Sequence, residues 1–146
     1  METTRQAHAT WSGTLIEGRG SVRPGTSGAV PELRTTWKAR TETPDGVTSP
    51  EELLAAAHAT CYSMAFSGDL SKAGFPPEKV DVTATILFRK LERWTVISST
   101  LEVTAKVPGI GREQFQQIAE GAKDMCPISR ALKGNVELAV SATLEQ

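Results

Sequence analysis

The amino-acid sequence predicts an α+β domain in which two central helices pack against antiparallel sheets. Three observations support this class. Strand-like stretches with turn residues occupy the first forty positions, two later segments have helical periodicity, and period-two alternation lies on both sides of the second helix. The resulting order is strands, helix, strands, helix, strand, which is typical of α+β proteins. A chain of 146 residues predicts a single domain over residues 1–146.

The N-terminal region is predicted to be β structure. Residues 9–15 (Ala-Thr-Trp-Ser-Gly-Thr-Leu) and 33–40 (Leu-Arg-Thr-Thr-Trp-Lys-Ala-Arg) have the composition and alternation of strands. Between them, residues 18–31 contain the glycines and prolines of a turn region. The sequence therefore predicts two strands joined by a long connection.

The first helix is predicted to begin at Ser49. Ser49 serves as N-cap, Pro50 is the first helical residue, and Glu52 closes a capping box while adding acidic charge to the positive first turn. The Gly-Phe-Pro-Pro stretch at 74–77 ends the helix. Steps of three and four residues predict one buried face made of Leu54, Ala57, Cys61, Met64, Ala65 and Gly68.

The C-terminal half predicts a hairpin, a second helix and a last strand. Apolar residues alternate over 80–88 and over 101–107, so the hairpin should turn near residues 90–93. The second helix follows the Pro-Gly-Ile-Gly stretch at 108–111 and is interrupted at Cys126-Pro127, and alternation over 136–140 predicts the final strand. The inner face of the second helix is predicted to contain Phe115, Ile118, Ala119, Ala122 and Met125.

Composition excludes several classes of partner. The net charge is −1 and the 16 Lys and Arg residues are dispersed, so the basic surface that nucleic acid requires is not expected. The N-terminus has no apolar leader and no stretch has the length of a membrane span, which predicts a cytoplasmic protein without a membrane partner. In that reducing compartment, two thiols are more often redox-active or metal-binding than a structural disulfide.

The two cysteines are the candidate catalytic residues. Cys61 lies in the middle of the first helix, and Cys126 lies 65 positions later, where proline halts the second helix. This arrangement suggests a peroxidatic and a resolving cysteine. A peroxidatic thiol must be ionised, because the thiolate is the nucleophile and a free cysteine has a pKa near 8.5.

Cys61 needs a cation to be ionised. It lies about a dozen residues beyond the N-cap, roughly 18 Å along the axis, so the helix dipole does not reach it. Arginine held by a carboxylate suits this role, and Arg40 with Glu51 is the candidate pair. Cys126 is different, because Pro127 can begin a short helical turn whose positive end makes the thiol a good attacking and leaving group.

Two segments resemble the signatures of the OsmC/Ohr family. Residues 48–65 (Thr-Ser-Pro-Glu-Glu-Leu-Leu-Ala-Ala-Ala-His-Ala-Thr-Cys-Tyr-Ser-Met-Ala) resemble the first signature. Within the family, this segment is more similar to the osmotically inducible protein C branch than to the organic hydroperoxide resistance branch. Residues 126–129 (Cys-Pro-Ile-Ser) resemble the second signature. The resemblance implies an OsmC-like fold, an intertwined homodimer, and a thiol-dependent reductase of organic hydroperoxides that serves in stress defence.

The resemblance also implies roles for individual residues. Cys61 would be peroxidatic, Cys126 would resolve it through a disulfide within the same chain, and Glu51 would bridge to an arginine. Arg40 matches the Arg-x-Glu stretch before the signature, and Arg34 and Arg19 remain alternatives. The implied reductant is a dithiol of the lipoyl type.

The substrate preference has its own candidate residues. Small or apolar side chains around Cys61 would form a shallow apolar pocket that favours organic hydroperoxides over hydrogen peroxide. The predicted lining consists of Ala57, Tyr62, Met64 and Ala65.

Other readings of the cysteines are weaker. His58 precedes Cys61 by three positions, and a metal could use both with Cys126, but structural zinc needs four ligands and the only other histidine is His8. No metal or cofactor is therefore expected. A non-catalytic binding or scaffold protein, or a thiol–disulfide exchange protein, is the alternative function, although the Cys-x-x-Cys motif of the latter is missing.

Overall fold

The fold is described from a computed structural model over residues 1–145. It contains six strands and four helices in that range. In chain order they are β1 (Ala7–Ser12), β2 (Arg19–Pro24), β3 (Leu33–Thr35), α1 (Trp37–Thr41), α2 (Pro50–Lys72), β4 (Lys79–Lys90), β5 (Trp94–Lys106), α3 (Arg112–Met125), α4 (Pro127–Leu132) and β6 (Glu137–Glu145). The α+β class is confirmed. The chain divides into compact units of residues 1–53 and 54–146, and the single domain over residues 1–146 stays a prediction.

The first unit contains an antiparallel sheet in the order β1-β2-β3. Two expectations were wrong here. Residues 19–24, expected in a turn region, form the central strand β2, and the strand expected over 33–40 ends at Thr35. It ends there because Thr36 caps the helix α1, accepting a hydrogen bond from the backbone N–H of Ala39 at 3.1 Å.

The start of α2 agrees with the prediction except in one contact. The Ser49 hydroxyl accepts the backbone N–H of Glu52 at 3.2 Å, and Pro50 is the first helical residue. Glu52 does not close the capping box in the expected way, since its carboxylate accepts the hydroxyl of Thr48. Both serine and acidic groups therefore stabilise this end of the helix.

The second unit contains a mixed sheet in the order β4-β5-β6. The predicted hairpin is confirmed: β4 and β5 pair antiparallel, and the turn is closed by Leu91 donating to the carbonyl of Arg93 at 3.0 Å. β6 pairs parallel to β5, which the expectation of antiparallel sheets did not include. The physical reason is the connection, because α3 and α4 carry the chain back across the sheet before β6 begins.

The buried face of α2 differs from the predicted one. The residues that point into the core are His58, Tyr62, Phe66 and Leu70, each completely buried, whereas Met64 is 70% exposed. The helix has apolar residues on all of its sides, so periodicity alone did not identify the buried face. The larger aromatic and leucine side chains are the ones that pack into the core. Phe66 packs edge-on against Phe115 of α3 with ring centroids 5.4 Å apart.

The inner face of α3 is confirmed except at its end. Phe115, Ala119 and Ala122 are buried, but Met125 is 55% exposed. The helix stops at Met125, and Cys126 takes the buried place at the turn. Within residues 1–145, none of the helices combines the length and apolarity needed to cross a bilayer.

Candidate active site

Two thiols of the second unit form the centre of the candidate site. Cys61 lies on α2 and is half-buried, and Cys126 lies between α3 and α4 and is completely buried. Both are free. The helices fix both positions. Cys61 lies beside the buried face of α2 that includes Tyr62 and Phe66, and Cys126 ends α3 and caps α4 before Pro127.

The fold brings these two thiols together. They lie close enough for the side chain of each to shift the pKa of the other, and a backbone hydrogen bond from Ile128 lowers the pKa of Cys61. Although 65 positions separate them in sequence, the packing of α2 against the α3–α4 connection makes them neighbours. Direct contact between two free thiols is the geometry that disulfide formation needs.

The pKa values of the two thiols are shifted in opposite directions. Burial raises the pKa of Cys61, and the neighbouring Cys126 raises it further, against a lowering contribution from the Ile128 backbone. Burial also acts to raise the pKa of Cys126, but hydrogen bonds from the hydroxyl and backbone N–H of Ser129, together with those from Cys61 and the Ile128 backbone, outweigh it, and the pKa of Cys126 is lowered. Within this unit, Cys126 is therefore the more acidic thiol.

A buried hydrogen-bond network next to the thiols was not predicted. The imidazole of His58 lies between two serine hydroxyls, with Nδ1 2.6 Å from Ser99 Oγ and Nε2 2.7 Å from Ser129 Oγ. All three side chains are buried. The sequence signal was present in the serine of Cys-Pro-Ile-Ser and in a histidine one turn before Cys61, but the partnership of Ser99 on β5 has no local signature.

The same network disfavours a metal site at His58, Cys61 and Cys126. Both nitrogens of His58 already have hydrogen-bond partners, so metal binding would have to break one of these bonds. Burial lowers the pKa of His58, which keeps the ring neutral. Among residues 1–145, no group of three or more His, Cys, Asp or Glu side chains has the geometry to hold a metal ion.

The first unit holds the candidate arginine. Arg40 on α1 and Glu51 on α2 form a forked ion pair, with Nε donating to both carboxylate oxygens at 3.0 and 3.1 Å and the terminal nitrogen donating to Oε1 at 2.7 Å. The guanidinium also lies 5.7 Å from the ring centroid of Trp37. Glu51 is buried and Arg40 is partly exposed. The two alternatives, Arg19 and Arg34, lie on exposed positions of β2 and β3.

The pocket residues named from the sequence divide into two groups. Tyr62 cannot line an open pocket, because it is completely buried and its hydroxyl donates to the carbonyl of Ala119 at 2.6 Å. Ala57 and Met64 are exposed and Ala65 is half-buried, so these three remain available as apolar surface on the same helix as Cys61.

The chain is similar to known proteins over most of its length. The family model described as OsmC-like protein matches residues 43–141. Peroxiredoxin OsmC of Escherichia coli is 37% identical over 139 residues, covering 94% of this chain and 96% of that protein. An organic hydroperoxide resistance protein-like 2 of Staphylococcus saprophyticus is 31% identical over 105 residues, covering 68% of this chain and 72% of that protein.

A solved structure has the same fold. An organic hydroperoxide resistance protein OsmC from Legionella pneumophila superposes with a TM-score of 0.70, covering 97% of this chain and 99% of that one at 22% identity.

Proposed function

The chain belongs to the OsmC family, and on this premise we propose that it is a thiol-dependent peroxidase that reduces organic hydroperoxides in oxidative or osmotic stress defence. The single observation that carries the proposal is the contact between the two free thiols Cys61 and Cys126. A scaffold protein has no need of two contacting thiols with opposed acidities.

In the proposed reaction, Cys61 is peroxidatic. Its thiolate attacks an oxygen of the hydroperoxide, the O–O bond breaks, and the alcohol leaves with a proton, so that Cys61 becomes a sulfenic acid. The thiolate of Cys126 then attacks the Cys61 sulfur, the S–O bond breaks, and the departing hydroxide takes up a proton to become water. A dithiol of the lipoyl type reduces the resulting disulfide.

We assign the ionisation of Cys61 to the Arg40–Glu51 pair. A cation is required because burial raises the pKa of Cys61. The forked ion pair holds the guanidinium in one orientation, and arginine stays charged when it is desolvated. Arg40 is preferred over Arg19 and Arg34 because its carboxylate partner is buried.

We further propose that the active form is a homodimer in which one protomer's Arg40–Glu51 pair faces the Cys61 of its partner. Glu51 and Cys61 are ten positions apart on one helix, about 15 Å at 1.5 Å per residue. An antiparallel α2 from a second copy would bring the pair to the thiol. The exposed apolar side chains of α2, above all Met64, supply a surface for that copy.

Catalytic turnover and thiol counting together test this function. The reduced protein is mixed with an alkyl hydroperoxide, and free thiols and protein mass are followed with and without a dithiol reductant. We expect loss of both thiols, a disulfide within one chain, and continued peroxide consumption only when the dithiol is present. Retention of both thiols under excess hydroperoxide would favour a scaffold. Disulfide exchange without peroxide consumption would favour a thiol–disulfide exchange protein.

A further inference from the structure

The His58 network is a polar feature that the proposed reaction does not use. His58, Ser99 and Ser129 are at most 1% exposed and lie beside a core of aromatic and aliphatic side chains. Buried polar groups are costly unless they are all bonded, and here both ring nitrogens are bonded. A neutral imidazole has one donor and one acceptor nitrogen, so the two serines must play opposite roles.

Ser129 connects this network to Cys126. Its backbone N–H donates to the Cys126 sulfur at 3.5 Å, and its hydroxyl also stabilises the thiolate form of Cys126. A hydroxyl that donates to sulfur has an oxygen lone pair free for a donor, and we therefore assign the imidazole proton to Nε2 of His58. Nδ1 then accepts from Ser99. The arrangement that also serves the thiol runs from Ser99 to His58 and from His58 to Ser129, and leaves the Ser129 hydroxyl proton for Cys126, whose pKa that hydroxyl lowers.

We propose that His58 and Ser129 form a buried hydrogen-bond relay that points the Ser129 hydroxyl at the Cys126 sulfur and stabilises the thiolate with which Cys126 attacks oxidised Cys61. Ser99 bonds the far nitrogen of the imidazole and adds stability without acting on the thiol. The inference rests on the proposed function for the identity of that electrophile. Ser129 and His58 are positioning residues in this scheme, because neither touches the peroxide or gains a covalent bond.

The relay also decides where the proton shared by the two thiols resides. When one proton is present, Ser129 favours a Cys126 thiolate and a Cys61 thiol, whereas the arginine proposed at Cys61 would favour the reverse. The relay therefore assists disulfide closure and does not assist the first oxidation. After that oxidation, the electron pair of the Cys126 thiolate forms the S–S bond, and the hydroxide released from Cys61 is protonated to water.

The test measures the two steps separately in one rapid-mixing experiment on the full chain. For Ser129→Ala we expect disulfide closure to slow about three- to tenfold, because a smaller thiolate fraction is only partly offset by higher nucleophilicity. Sulfenic acid formation should be as fast as in the unchanged chain or faster. His58→Leu should act in the same direction, and His58→Gln, which keeps an N–H donor, should restore closure.

Ser99→Ala is the matched control. It removes a buried hydroxyl of the same size that bonds the same imidazole, but on the side away from the thiol. We expect a loss of stability similar to that of Ser129→Ala, with closure within about twofold of the unchanged rate. If all three sites slowed both steps in proportion to their loss of stability, the network would be structural and the relay would be wrong.

A second readout separates this inference from the peroxidase assignment. The thiol–disulfide equilibrium of Cys61 and Cys126 is measured in a redox buffer without peroxide. Ser129→Ala should shift it toward the disulfide by up to about tenfold, since the reduced form loses the stabilisation of its thiolate. An unshifted equilibrium would overturn the relay even in an active peroxidase. A shifted equilibrium in a chain that does not consume hydroperoxide would leave the relay standing and overturn the peroxidase.

Discussion

Cys126 caps the helix that carries Ser129: its sulfur accepts the backbone N–H of Ser129 at 3.5 Å. The same atom is in contact with the thiol of Cys61. One sulfur therefore has a structural partner in its own helix and a chemical partner on α2. Substitutions at this position will affect both roles, which shapes how the cysteine variants should be interpreted.

The two cysteines should have different effects on turnover. Cys61→Ser is expected to abolish hydroperoxide consumption, because it removes the nucleophile. Cys126→Ser should permit one fast oxidation and then accumulate a sulfenic acid on Cys61, since serine keeps a capping oxygen but cannot close the disulfide. Stopped-flow oxidation with a sulfenic acid trap measures both. Loss of the first oxidation in Cys126→Ser, with its survival in Cys61→Ser, would reverse the assignment.

Arg40 should control the pH dependence of the first step. Arg40→Ala is expected to leave Cys61 with the pKa that burial raises above its ordinary value, so oxidation slows far more near about pH 6 than near about pH 9, where a larger fraction of the thiol ionises without the cation. Arg40→Lys should restore little, because lysine keeps the charge but loses the fork. The pH–rate profile of sulfenic acid formation is the measurement. Arg34→Ala and Arg19→Ala are the controls, and the variant whose profile moves identifies the arginine.

The exposed side of α2 should be required for assembly. Met64→Glu is expected to weaken the dimer, because a carboxylate replaces an apolar side chain that is 70% exposed in the single chain. Lys72→Glu is the control, because it places the same carboxylate at the end of the same helix, away from Met64, and changes the net charge by more than Met64→Glu does. Sedimentation analysis at micromolar concentration, together with peroxidase activity, measures the effect. A fully active monomer would contradict the shared site.

Organic hydroperoxides should be preferred over hydrogen peroxide. Ala57, Met64 and Ala65 offer apolar surface near Cys61, and each methylene that a substrate buries contributes about 0.8 kcal/mol. Several carbons are then enough for roughly two orders of magnitude in kcat/KM. The comparison uses an alkyl hydroperoxide and hydrogen peroxide with one dithiol reductant. Equal values would remove the pocket and leave the peroxidase assignment intact.

Two glycines should respond oppositely to alanine. A Cβ at Gly20 in β2 would clash with the carbonyl oxygen of Thr10, so Gly20→Ala should destabilise the first unit by more than about 2 kcal/mol. A Cβ at Gly121 in α3 meets nothing within 4 Å, and Gly121→Ala should stabilise by about 0.5–1 kcal/mol. Urea unfolding monitored by tryptophan fluorescence and circular dichroism measures both. Equal effects at the two positions would show that backbone propensity, and not close approach to Thr10, dominates.

The parts of the fold that follow local rules were predictable from sequence. Ser49 and Pro50 mark the start of α2, and alternation marks the β4–β5 hairpin, because caps and period-two patterns are short-range signals. The missed elements depend on competition or distance. Thr36 ends β3 by capping α1, and the face of α2 is chosen by Tyr62 and Phe66 only when a sheet is present to receive them.

The candidate site divides in the same way. Cys61 and Cys126 stand out as the only thiols, and the Arg40–Glu51 ion pair follows from residue chemistry. Ser99 and its bond to His58 span 41 positions and have no motif, so only the fold could reveal them. The parallel pairing of β6 is likewise set by the α3–α4 connection and not by the strand's own pattern.

The unequal exposure of the two thiols gives the reductive half of the cycle a direction. Cys126 is fully enclosed and Cys61 is half-buried, so in the proposed cycle we expect an incoming thiolate to attack the Cys61 sulfur and form its mixed disulfide there. Cys126 is then the leaving group, and a leaving thiol of lower pKa departs faster. The burial of Cys126 thus determines which sulfur of the disulfide an external reductant can attack, whatever the identity of that reductant.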